Sequence, residues 1–399
     1  MTSTDWQPPT EVERALHEAK SRDDWPAYFD TLGNTWLYYA AERHPLDAVG
    51  QRVSTSYYSE RTGGWCRTLL TPGMLPAPEA DPVYVRTSLE SLAASWPDEQ
   101  TWLAVDPGSP CEAYFPGTMA HRAVWRRHFE RAWRSQSRRL RTLWVGGPLH
   151  GPVAHGLACG ALLCVRNGSH WNAVAWHGTG YDEERDRLRE WWGITDRAQW
   201  LEYLELLLAG EMSSTAWESV LGVRRDLARL SADGTVGISQ WRDATERLVR
   251  GEENGRTTGG EPAAPDDDIA FDAETERLQN LIGRISRYES RFRADGLLPE
   301  GGHVRSVLAW DYGRASKMAR WGLGARFGEL RETEAALVRA GHASRAEYDS
   351  WESFSAGYVL GRCLHFDDEK FGDWYTDMLD AHRILTTDPA SPWRNIPFA

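Results

Sequence analysis

The run AWDYGRASKMARWG sets Trp310, Asp311, Arg314, Met318 and Trp321 three or four residues apart, so a helix carries them along one face. On that face Asp311 and Arg314 can form an ion pair, with Arg320 and Trp321 beside it. Two chemistries suit such a set. In one, Arg314 holds an anionic group with its planar fork while Asp311 orients that group or acts as a base. In the other, the pair is a hydrogen-bonded brace buried under tryptophans. Asp311 and Arg314 are thus the catalytic candidates, and both readings stay open. A second run, YDSWESFSAGYVLGR, places Tyr348, Trp351, Tyr358 and Arg362 on neighbouring turns, and Gly357 and Gly361 at i, i+4 permit close helix packing. In the terminal SPWRNIPF, Pro392 and Pro397 bracket Trp393, which reads as an extended tail pinned by its aromatic residues to the bundle. Trp310, Arg320, Trp321, Trp351, Tyr358, Arg362 and Trp393 are the candidate binding residues.

Other chemistry-bearing residues are weaker. His150, His155, Cys159 and Cys164, with His170 and His177 after them, resemble a metal cluster in composition. Cys159 and Cys164 are five apart, which is wrong for a zinc knuckle, and no paired CxxC accompanies them. The segment is otherwise apolar, so these are read as core residues and no metal site is assigned. No basic neighbour in sequence marks any thiol as activated. Asp367, Asp368, Glu369 and Lys370 read as a charged loop between helices. P-loop, GxGxxG, HExxH and GxSxG motifs are absent, which removes the usual signs of nucleotide, zinc-protease and hydrolase chemistry. No cofactor is implied.

The elements that must position these residues fall into two textures. Thr10 is an N-cap for a helix to about Lys20, and another short helix spans Trp25 to Leu32. TWLYYAA, QRVSTSYYS, WCRTLLT and PVYVR read as strands, TSLESLAASWP as a helix, and TWLAVDPGSP as a strand ending in a turn at Asp106, Pro107 and Gly108. From Thr118, TMAHRAVWRRHFERAWRSQSRRL predicts a connecting helix and VAHGLACGALLCVRNG a buried one, central to a second core. Helical periods then dominate to the end. EENGRTTGGEPAAPDDD, residues 252–268, is expected as a solvated, poorly ordered insertion. The fold class is therefore an α+β N-terminal domain followed by an all-α helical C-terminal domain. The predicted divisions are an N-terminal helix in 1–24, an α+β domain in 25–140 and a helical domain in 141–399.

Composition narrows the class of partner. With Lys+Arg 45 against Asp+Glu 58, the net charge of −13 repels phosphate backbones, so nucleic acid is disfavoured. Lys20, Lys317 and Lys370 are the only lysines, an arginine bias that fits a GC-rich, actinobacterial-type genome. Cys66, Cys111, Cys159, Cys164 and Cys363 form an odd, scattered set expected to be reduced thiols in the cytoplasm. No leader or membrane-spanning run is signalled. The 21 tryptophans are expected mainly as core anchors.

Four segments in order, REWWGITDRAQWLEYLELLLAGE, AWDYGRASKMARWG, YDSWESFSAGYVLGR and SPWRNIPF, resemble the bacterial helical family described as domain of unknown function 1266. That likeness covers roughly Leu149 to Phe398, departs from the family at the polar insertion, and implies no activity. WPDEQTWLAVDPGSPCEAYFP, preceded by PVYVRTSLESLAASWP, resembles the SseB amino-terminal domain family over about Trp25 to Phe129. This second resemblance implies a small binding or adaptor module.

The expected function is a non-catalytic interaction protein, an accessory or immunity-type partner in a bacterial secretion or toxin system, with another protein as its partner. An enzyme, a toxin-like hydrolase or transferase acting around Asp311, Arg314 and Trp321, is the alternative. A structural protein without a small-molecule site is a third. The sequence assigns no oligomeric state.

Overall fold

Thr10 begins the first helix as its side chain accepts a hydrogen bond from the Val12 N–H, satisfying a donor that a helix start leaves free. In the computed structural model, residues 6–132, 138–176, 179–232, 234–256 and 265–399 are described, with the backbone alone for 252–256 and 265–270. The first part contains α1 Glu11–Ser21, α2 Trp25–Gly33, β1 Leu37–Ala41, α3 Arg43–Val49, β2 Ser56–Ser59 and β3 Gly64–Leu69. It continues with β4 Val83–Thr87, α4 Leu89–Ser95, β5 Trp102–Val105, β6 Ala113–Pro116 and α5 Met119–Ala132. The rest is helical: α6 Gly151–Cys159, α7 Ala161–Asn167, α8 Tyr181–Trp192, α9 Arg197–Ala209, α10 Thr215–Leu230 and α11 Ile238–Arg256. Then come α12 Pro265–Ala294, α13 Leu308–Gly324, α14 Leu330–Glu347, α15 Trp351–Phe366, α16 Asp373–Thr387 and α17 Pro392–Asn395. An α+β N-terminal part followed by an all-α part is the architecture.

A mixed sheet runs in the order β2-β3-β5-β6, parallel only between β3 and β5, and β1 pairs with β4 in a separate antiparallel ribbon. Leu69, Leu103, Val105 and Phe115 share one face of the mixed sheet and pack with Leu16, Tyr28, Leu32 and Trp125 from the helices. The chain forms two compact units, Met1–Leu204 with Ser316–Val338, and Glu205–Ala315 with Arg339–Ala399. α6 and α7 thus belong to the unit that contains the strands.

Four local expectations are corrected. The helix predicted over 153–168 is two, broken at Gly160, where a Cβ would come within 2.8 Å of Ser316 Oγ. α5 ends at Ala132, and residues 138–140, also expected as helix, are not helical. There the chain turns toward Leu143 and Trp144, whose N–H groups donate to Asn172 Oδ1 and the Pro9 carbonyl. Residues 257–264 of the polar insertion lie outside the described residues, but its flanks are helical. Pro265 stands at the first position of α12, where its fixed φ suits a helix start. Finally, the terminal tail is not wholly extended, since Pro392–Asn395 form a helical turn capped by Ser391.

Candidate functional site

In the unit formed by Glu205–Ala315 and Arg339–Ala399, Asp311 lies in the first turn of α13 and is fully buried. Its Oδ2 accepts from the backbone N–H groups of Met212 (3.1 Å) and Ser213 (2.9 Å), and its Oδ1 from Ser213 Oγ (2.8 Å) and Arg314 Nη2. A carboxylate has about four lone-pair sites, and here each has a donor. One charged side chain thereby closes the loop after α9 onto α13. Arg314 is held in turn by the Trp310 carbonyl, and its guanidinium lies 3.5 Å from the Trp310 ring centroid. Burial holds its pKa below the ordinary arginine value, opposed by the adjacent Asp311.

α15 brings a second cation to this place. Gly361 allows the approach, because a Cβ there would meet Trp310 Cβ at 2.9 Å, and at Gly357 it would overlap the Ser306 carbonyl. Arg362 lies over the rings of Phe366 (5.5 Å) and Trp374 (4.8 Å), which stack at 4.6 Å with 16° between their planes. His365 packs on Trp310 at 5.0 Å, and burial, with Arg314 and Arg362 next, pushes its pKa below the usual histidine value. Tyr358 on the same helix is buried and close enough to Arg314 to influence its charge. Of the predicted residues, Trp310, Asp311, Arg314, Tyr358 and Arg362 thus come together, with His365, Phe366 and Trp374 added by the fold. Trp351 and Trp393 make a different cluster. They stack at 5.6 Å, Trp351 Nε1 donates to the Ile396 carbonyl (2.9 Å), and Phe398 packs edge-on to Trp351, so the tail is clamped.

A family profile described as "Protein of unknown function (DUF1266)" matches residues 187–398, more than half of the 399 residues. The chain belongs to the DUF1266 family. Its match starts later than the resemblance from Leu149 implied, and contains every predicted site residue. No curated protein and no solved structure matches the chain.

Arg320 and Trp321 of this DUF1266 protein lie in the other unit, on the second half of α13. Arg320 is completely buried, and donates to Cys164 Sγ (3.1 Å) and the His170 carbonyl (2.5 Å). Lys317 Nζ lies 3.8 Å from the same sulfur. Burial alone would raise the Cys164 thiol, but Lys317 and Arg320 bring it below its ordinary value. Burial likewise pushes Lys317 down to about 7. The expectation that no basic neighbour marks a thiol as activated is therefore corrected at Cys164, whose cations come from positions more than 150 residues further along. Within one sequence window nothing signals that meeting. His155 and Cys159 are buried on α6, and His177 lies outside the described residues. Asp367 organises the loop after α15, accepting from Tyr288 Oη, Phe371 N and Gly372 N, while Glu369 pairs with Arg287.

A cleft of about 470 Å³ that the sequence did not flag opens between α10, the loop before α13 and the start of α15. Of the lining residues, Arg224 gives both prongs (2.6 and 2.8 Å) and Val304 its N–H (2.8 Å) to Glu289, which is buried. His303 Nδ1 lies 3.3 Å from the same carboxylate. Burial would raise the Glu289 pKa, but the bond from His303 and the charge of Arg224 hold it down. The one signal in sequence was the Gly301–Gly302–His303 run, which marks a loop rather than a site.

Proposed function

We propose that the chain is a non-catalytic interaction protein whose docking face is the cation–aromatic cluster of α13, α15 and α16. The observation that carries it is the stacked pair Phe366 and Trp374, 40% and 39% exposed, with Arg362 against both rings. Large aromatics and arginine are the residue types that dominate binding energy at protein interfaces, and an apolar pair beside cations suits a partner segment with an aromatic or aliphatic side chain next to a carboxylate. The four bonds on Asp311 support a bracing role for it, since they leave no lone pair to take a proton. The residue pattern that resembles the SseB amino-terminal domain supports the finer reading, an accessory or immunity-type partner in a bacterial secretion or toxin system.

Affinity capture from native cytosol tests this. Wild-type chain should retain a stoichiometric protein partner, and Trp374→Ala and Phe366→Ala should each weaken retention by at least about tenfold, as expected for interface anchors. Retention unchanged in both variants, or no partner on the wild type, would sink the reading.

A further inference from the structure

The cleft beside His303 is separate from the docking face and has the form of a small-molecule site. Its volume of about 470 Å³ lies in the range of about 300–1,000 Å³ that ligand pockets occupy. Val236, Leu297, Leu298 and Pro299 supply an apolar floor. Two of the arginines at the wall are consumed. Arg224 is bound to Glu289 and the Val304 carbonyl, and Arg225 to Glu218 and the Arg305 carbonyl. Arg305 is different: its side chain is 42% exposed, and among the described residues its ion-pair contact is with Glu347 at 3.9 Å. His303 lines the cleft and is 43% exposed, and with its Nδ1–H given to the Glu289 carboxylate the other ring nitrogen, Nε2, is an acceptor. The opposite charge comes from the start of α15, where Asp349 and the exposed Glu352 also line the cleft.

A cleft with an apolar floor, one available guanidinium, an oriented imidazole and two carboxylates has groups for both ends of a zwitterion. We propose that it binds an apolar amino acid or short apolar peptide carrying free ammonium and carboxylate groups, with Arg305 on the carboxylate, Asp349, Glu352 and His303 Nε2 on the ammonium, and the side chain on the apolar floor. A neutral or singly charged molecule of the same size leaves one set of charges unmatched. This site owes nothing to the docking reading and stands or falls separately from it.

Isothermal titration calorimetry of the full chain decides the matter, with leucine, phenylalanine and the dipeptide Leu-Leu as probes, each beside its N-acetylated and its C-amidated form. The expected result is saturable binding of at least one zwitterion, weakened at least about tenfold by either blocking group and by Arg305→Gln or Glu352→Gln, as for charge-complementary contacts. The ranking of amino acid against dipeptide identifies which source fits. The blocked ligands test the wild-type chain, so the result does not depend on how a variant folds. No heat with any zwitterion at millimolar concentration overturns the proposal, and so does equal affinity for blocked and free ligands.

Discussion

Asp106 shows how one residue ties stability to pH. Its carboxyl is completely buried, accepts from the Thr71 N–H (2.8 Å), and lies 2.8 Å from Thr71 Oγ1, which is also 2.5 Å from Glu13 Oε1. A hydroxyl has one proton to give, so a proton on Asp106 completes the set. Burial, with the neighbouring Glu13 adding to it and the Thr71 bonds opposing it, pushes the Asp106 pKa from 3.8 up to about 7. An acid whose folded pKa lies above its unfolded one holds its proton more tightly when folded. Its contribution is therefore full below about pH 4 and is lost as pH rises through about 7. Asp106→Asn keeps an acceptor and suits the positive φ of 43° at this position while removing the titration. Urea unfolding at several pH values should show the wild type losing about 4 kcal/mol relative to Asp106→Asn between pH 4 and pH 8. Parallel profiles would refute the assignment. Lys317 has the opposite sign, because its folded pKa lies below the ordinary lysine value, so its burial becomes easier as pH rises above about 7.

Elements in this protein are placed by close approach as much as by amphipathic pattern. α6 meets α14 at Gly156, where a Cβ would overlap the Leu337 carbonyl, and backbone cannot move aside as a flexible side chain would. Gly156→Ala should cost about 1–3 kcal/mol in a urea titration, the usual range for overpacking, despite the better helix propensity of alanine. Unchanged stability would show that the two helices have room to part. The same contrast explains what was legible in sequence. Strands β1 to β5 lay in Val-, Tyr- and Trp-rich runs between turn residues, and Thr10 caps the first helix with its side chain as its position before an acidic first turn indicated. β6 is only Ala113–Pro116 and ends in proline, and α3 holds Pro45 in its first turn, so neither carried a period long enough to read. Asp311 with Arg314 was legible because a helix turn joins them. Cys164 with Lys317 and Arg320, and His303 with Glu289 and Arg224, depend on contacts across the chain that no local spacing announces.

At the scale of the whole chain, the excess of acidic residues contrasts with arginines gathered at particular places. Arg314 and Arg362 share one cluster, and Arg320 and Lys317 another, each in its own compact unit. Among the described residues, no helix is long and apolar enough to cross a membrane. Bracing by Asp311 and the proposed docking at Phe366 and Trp374 make different demands on stability. Urea unfolding of Asp311→Asn beside Trp374→Ala tests that division most directly. Asp311→Asn should lose on the order of 3 kcal/mol, because it strips the counter-charge from a largely buried arginine and leaves two of the four donors facing an amide N–H. Trp374→Ala, at a partly exposed site, should lose no more than about 1 kcal/mol. Wild-type stability in Asp311→Asn would contradict the bracing role and return its carboxylate to the list of groups free to do chemistry.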